Sequence, residues 1–189
     1  EMVQAGVLDM AKVSANTLGQ FDERYSIFSL PYLFRNQEHY YNAMANSEGI
    51  QELFESTRDK GYIAIGYYAN GARNYYLKED KAVTDPSVLK GKKIRAMVSS
   101  TSMEMIELMG GSPVPMASSE TYTSLQQGIV DGAENTELAL TVDKHEEIVK
   151  SYTYTEHQYS PDIYITSTKV WDSLSKEQQE YLKECLVKL

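Results

Sequence analysis

Short apolar runs alternate along this chain with stretches of helical periodicity, and that alternation constrains the fold more than any other feature. It is the signature of an α/β architecture. Strands are expected at Val7 to Val13, Tyr62 to Tyr68, Arg73 to Leu77, Lys93 to Met97, Tyr152 to Tyr159 and Ile163 to Thr168, and Gly132 to Asn135 reads as a short strand or turn. Phe28 to Phe34 holds Pro31, so it reads as an irregular or edge segment. Gln37 to Arg58 reads as helix broken near Asn46-Ser47, where Ser47 restarts it. Asn70-Gly71 marks a turn, and Asp85-Pro86 opens a short helix ended by Gly91. Thr101 to Met109 is helical, and Ser118 or Ser119 caps a helix that ends at Gly128. Ser175-Lys176-Glu177-Gln178 is a capping box opening a final helix, with Cys185 on its core face.

Composition excludes more than it selects. The 27 acidic and 18 basic side chains give a formal charge of -9, with no Lys/Arg run. Such a surface is a poor partner for nucleic acid or an anionic membrane. A single cysteine forms no internal disulfide and no zinc cluster. Tyrosine is abundant, 15 against 4 Phe and 1 Trp, which suits half-wet clefts and strand surfaces. The opening Glu1-Met2-Val3-Gln4 reads as the middle of a protein rather than its start.

Enzyme motifs do not assemble. His39, His145 and His157 are scattered, and His145-Glu146-Glu147 lacks the second His four residues away that a zinc helix needs. His145 therefore reads as an ordinary polar helix residue. There is no G-x-S-x-G elbow and no phosphate-binding glycine loop. Asp131 and Glu134 flank a glycine and are the nearest approach to an acid–base pair, but nothing around them in the sequence supplies a partner.

Three segments stand apart: Gly71-Ala72-Arg73-Asn74, Leu89-Lys90-Gly91-Lys92-Lys93-Ile94-Arg95, and Gly128-Ile129-Val130-Asp131-Gly132-Ala133-Glu134-Asn135. Between the last two lie Gly111-Ser112-Pro113-Val114-Pro115-Met116 and Glu120-x-Tyr122-x-x-Leu125-Gln126-Gln127-Gly128. In this order and spacing they resemble the dicarboxylate-binding-type solute-binding subunits of tripartite ATP-independent periplasmic (TRAP) transporters. The resemblance extends outward through Leu30-Pro31-Tyr32-Leu33-Phe34, His157-x-Tyr159-Ser160-Pro161 and Trp171-x-x-Leu174.

That resemblance implies a two-lobe periplasmic-binding-protein-like α/β fold whose chain crosses between lobes. Residues 1–71 would form part of lobe one, 72–161 lobe two, and 162–189 a return to lobe one, with the fold incomplete at both ends. It implies a carboxylate clamp at Arg95, whose planar fork of donors matches a carboxylate. Asn135 and Arg73 match further ligand-contacting positions. Val98 and Ser118 depart from the family pattern, against a sialic acid-like ligand, and leave Ser99 and Ser118 for the hydroxyls of another. The expectation is a monomeric extracytoplasmic protein, periplasmic or lipid-anchored, without cofactor or metal. It would capture a small organic acid, a uronate before a C4 dicarboxylate, for a TRAP membrane permease. A sensor module of the same fold is the alternative reading; an enzyme is not expected.

Overall fold

The computed structural model of the chain describes residues 1–187; Lys188 and Leu189, the end of the predicted tail, lie outside the described residues. Strand β1 (Met10–Ser14) runs directly into a one-turn helix, α1 (Ala15–Leu18), and a 3₁₀ stretch spans Glu23–Ser29. The strand predicted from Val7 begins only at Met10, because residues 2–9 form turns and bends and leave Val7 68% exposed. Helices α2 (Gln37–Asn46) and α3 (Glu48–Glu55) are the two pieces expected around Ser47. Asn36 caps α2 by accepting from the His39 amide at 2.8 Å, whereas the Ser47 side chain makes no capping bond.

Strand β2 (Tyr62–Tyr68) is followed by β3 (Ala72–Leu77). Gly71 between them has φ +87°, a left-handed turn that glycine enters without steric cost. Next come β4 (Lys93–Ala96), α4 (Ser100–Leu108), β5 (Ser112–Pro115), α5 (Ser118–Gln127), β6 (Gly132–Asn135) and α6 (Glu137–Val142). Sequence reading missed β5, which tolerates Pro113 and Pro115 because it is an edge strand. It also placed the α5 cap too late. Ala117 is the N-cap, and the Glu120 carboxylate accepts from its amide at 3.0 Å, so Ser118 becomes the first helical residue. The chain closes with β7 (Ser151–Tyr159), β8 (Asp162–Ser167), α7 (Thr168–Ser173) and α8 (Lys176–Val187). The capping box forms reciprocally, Ser175 N to Gln178 Oε1 at 2.8 Å and Gln178 N to Ser175 Oγ at 3.2 Å. Cys185 is exposed rather than on the core face, because the apolar stripe of α8 runs through Leu182 and Leu186.

The strands form two sheets. One is antiparallel, in the order β1-β8-β2; the other is mixed, in the order β5-β4-β6-β3-β7, with β4 parallel to both β5 and β6. Each sheet carries its own core. Tyr25, Phe28, Tyr40 and Met44 pack on the first, while Ile63, Ile65 and Trp171 cover its other face. On the second sheet, consecutive strand residues point to opposite faces. Tyr75 joins Leu77, Ile94 and Ile106 on one side, and Tyr76 joins Leu125, Val130 and Ala133 on the other. The largest buried aromatics are thus tyrosines in the cores, not on strand surfaces. β3 and β6 approach so closely that a Cβ on Gly132 would collide with the Tyr76 carbonyl. The chain passes from one sheet to the other between β2 and β3, and back through Ser160-Pro161 between β7 and β8. The result is a two-lobe α/β fold.

Candidate functional site

The parallel strands β4, β5 and β6 deliver their C-terminal ends to one place, where open α/β sheets offer a crevice for ligands. A cleft of about 610 Å³ lies there. Arg95, Met97, Val98, Met116, Ser118, Asn135 and Thr136 line it from the mixed sheet's side, and Ser14, Thr17, Gln20, Ser160 and Asp162 from the other. Gln20 Nε2 bridges the two sides by donating to the Val98 carbonyl at 2.7 Å.

Arg95 is the electrostatic anomaly of the cleft. Its residue is 4% exposed, yet among the described residues it has no acidic partner within ion-pair distance. Its Nη2 donates to the Met116 carbonyl at 2.8 Å, and its Nε is buried without a partner. Burial depresses its pKa, with the Glu134 charge opposing and the Arg73 charge reinforcing that shift. An unmatched buried guanidinium is costly, and it is set to accept an anion from the cleft.

Arg73 is arranged the opposite way. Its Nε meets Glu134 Oε2 at 2.6 Å, and its Nη2 meets Glu134 Oε1 at 3.0 Å and the Glu134 carbonyl at 2.8 Å. The carboxylate is fully buried, and His157 Nε2 stands 3.5 Å from it. Burial alone would raise the Glu134 pKa. The charge of Arg73, the adjacent His157 ring and the hydrogen bonds from Arg73 outweigh that and hold it at about 2. Glu134 is therefore an anion committed to Arg73. Sequence reading had found no partner for it, because the pairing arises only from the register of β3 on β6, where Tyr75 faces Glu134.

Asn135, at the end of β6, turns its Oδ1 to the Thr136 amide at 2.9 Å, which leaves the Nδ2 donors for the cleft. Ser118 stands at the cleft wall on the first turn of α5, where backbone donors favour an anion. Ser99 does not belong with these residues. It is the N-cap of α4, accepting from the Ser102 amide at 3.4 Å and donating to Ser29 Oγ at 3.2 Å, and it is absent from the cleft lining. His145 is buried rather than an ordinary surface helix residue; its Nδ1 lies 2.9 Å from the Tyr76 hydroxyl. A second groove of about 690 Å³ runs beside β2, α2 and α8, but its walls are mainly apolar and hold no buried unmatched charge.

Residues 1–188 match the bacterial extracellular solute-binding proteins, family 7, known as DctP. The chain belongs to that family. Within it, the chain is 44% identical over 188 residues to the protein YiiZ of Salmonella typhimurium, covering 98% of this chain and 57% of YiiZ. Two solved structures are similar throughout. One is a TRAP periplasmic solute-binding protein from Anaerococcus prevotii with bound α/β-D-glucuronate, at TM-score 0.92 and 39% identity over 97% of this chain and 59% of that one. The other, from Sulfitobacter sp. NAS-14.1, has bound β-D-galacturonate, at TM-score 0.92 and 34% identity over 99% and 62%. The chain thus spans somewhat more than half the length of these DctP-family relatives.

Proposed function

We propose that this chain captures a small sugar acid, a uronate in the first instance, for a TRAP membrane permease. Capture proceeds by closure of the two lobes over the cleft. The observation that carries this reading is Arg95, a nearly buried cation with an unpartnered Nε and no carboxylate of its own. The ligand carboxylate would take the place of the missing counter-ion, and closure would strengthen the pair by excluding water. Asn135 would add an amide donor. Arg73 would offer Nη1, which enters no hydrogen bond among the described residues, while Glu134 fixes its orientation. Ser118 would meet ligand hydroxyls, and Ser99 is left to hold the start of α4.

The uronates bound to the A. prevotii and Sulfitobacter proteins support this ligand class. Binding without chemistry fits the state of Glu134, which lies outside the cleft lining and is locked as an ion by Arg73. The protein would act as a monomer outside the cytoplasm, in the periplasm or on a lipid anchor, and hand its ligand to permease subunits. A thermal-shift panel of D-glucuronate, D-galacturonate, D-gluconate, sialic acid and succinate tests the reading, since a ligand of the folded state raises the melting point. Stabilisation by a uronate is expected; stabilisation by succinate or sialic acid alone would overturn it.

A further inference from the structure

The charges in and beside the cleft cancel before any ligand arrives. Arg73 is matched by Glu134, and Asp162 by Lys12, whose Nζ is 2.9 Å from Asp162 Oδ2. Arg95 and Asp143 both line the cleft and have no ion-pair partner among the described residues. One incoming carboxylate therefore uses the single uncommitted guanidinium. Arg73, with its Nε and Nη2 on Glu134, has only Nη1 to offer, so among the described lining residues no uncommitted cation remains for a second carboxylate.

Asp162 occupies the side of the cleft opposite Arg95's strand. It opens β8, paired with Ser14 on one flank and Tyr68 on the other, directly after the Ser160-Pro161 crossing. Its side chain is 20% exposed, and the Lys12 ammonium meets its Oδ2. Lys12 stays outside the cleft lining, with its ammonium over the Tyr68 ring 5.0 Å from the centroid. On the same side of the cleft the lining also includes Ser14, Thr17 and Ser160. Such a wall accepts and donates hydrogen bonds to a polyol. A carboxylate arriving there would be desolvated beside a like charge with nothing to balance it.

We infer that the Lys12–Asp162 pair is a specificity determinant that admits hydroxylated monoacids and rejects diacids of the same length, a conclusion that rests on the sugar-acid reading above. Asp162 reads ligand hydroxyls directly, and Lys12 acts through Asp162 as a positioning residue.

The test is calorimetry on the protein as encoded, with D-glucuronate and D-glucarate as probes, for the wild type, Asp162→Asn and Lys12→Met. Comparing the change in affinity ratio between proteins cancels the difference in shape between the two acids. The wild type is expected to bind glucuronate at least about tenfold more tightly than glucarate. Asp162→Asn removes the anion and releases Lys12, so the ratio should narrow at least about fivefold. Lys12→Met leaves Asp162 unneutralised and should widen it. A ratio unmoved in both variants, or a wild type that prefers glucarate, overturns this inference while leaving sugar-acid capture standing. A wild type that binds neither acid overturns both.

Discussion

Arg73 grips Glu134 through two parallel hydrogen bonds, Nε to Oε2 at 2.6 Å and Nη2 to Oε1 at 3.0 Å, across the β3–β6 pairing. The fork leaves Arg95 as the cleft guanidinium without a carboxylate among the described residues. One buried arginine is satisfied by a carboxylate of the protein; the other, on the proposed reading, takes the carboxylate of the ligand.

Breaking the satisfied pair should be expensive. Glu134→Gln leaves the buried Arg73 charge uncompensated, for an expected loss of about 3–5 kcal/mol in urea unfolding. A variant as stable as the wild type would contradict the pairing.

The same pair sets an acid limit on stability. The folded pKa of Glu134, about 2, lies below its ordinary value of 4.5, so its contribution is complete above the unfolded value and is lost as pH falls through the folded one. The contribution of this group should be level above about pH 5 and decline between about pH 5 and pH 2, by on the order of 3 kcal/mol. Asp22, held low chiefly by its hydrogen bond from Arg24, adds to the same decline. Denaturant midpoints measured across that range check the sign, and Glu134→Gln should flatten the curve.

Arg95 should show the reverse of a structural arginine. Arg95→Met removes an unmatched buried cation at the loss of one bond to the Met116 carbonyl. The ligand-free protein should then gain about 1–2 kcal/mol. A destabilised Arg95→Met would mean that Arg95 holds the fold rather than awaits an anion.

Glu156 carries backbone strain at the bulge in β7. Its φ is +44°, it is exposed, and its amide donates to Asn74 Oδ1 at 2.8 Å where the β3–β7 register shifts. Glu156→Gly should relieve that strain and raise stability by about 0.5–1 kcal/mol, because glycine occupies positive φ freely. A fall in melting temperature would show that the bulge does not need it.

Much of the scaffold was legible because local rules decide it. The break at Ser47, the capping box at Ser175 and strands such as Tyr62–Tyr68 are set by neighbours a few residues apart. Arg95 and Asn135 stand out in the sequence through a family-like spacing, and the fold brings both to one cleft. Partnerships between strands distant in sequence were not legible. Arg73 with Glu134 and Lys12 with Asp162 depend on the registers of β3 on β6 and of β1 on β8, which no local pattern encodes. Ser99 lies outside the cleft lining because the start of α4 uses its hydroxyl as a cap, a local demand that competes with any ligand contact. Cys185 was misplaced because the phase of α8 turns it outward beside Leu186.

The central claim is that Arg95 holds the ligand's carboxylate. Calorimetric titration of D-glucuronate into the wild type, Arg95→Ala and Arg95→Lys tests it most directly. A charge-assisted hydrogen bond contributes about 1.5–3 kcal/mol, so Arg95→Ala should weaken binding about ten- to 150-fold. Arg95→Lys should recover little of that, because the planar fork is lost. Wild-type affinity in Arg95→Ala would contradict the account.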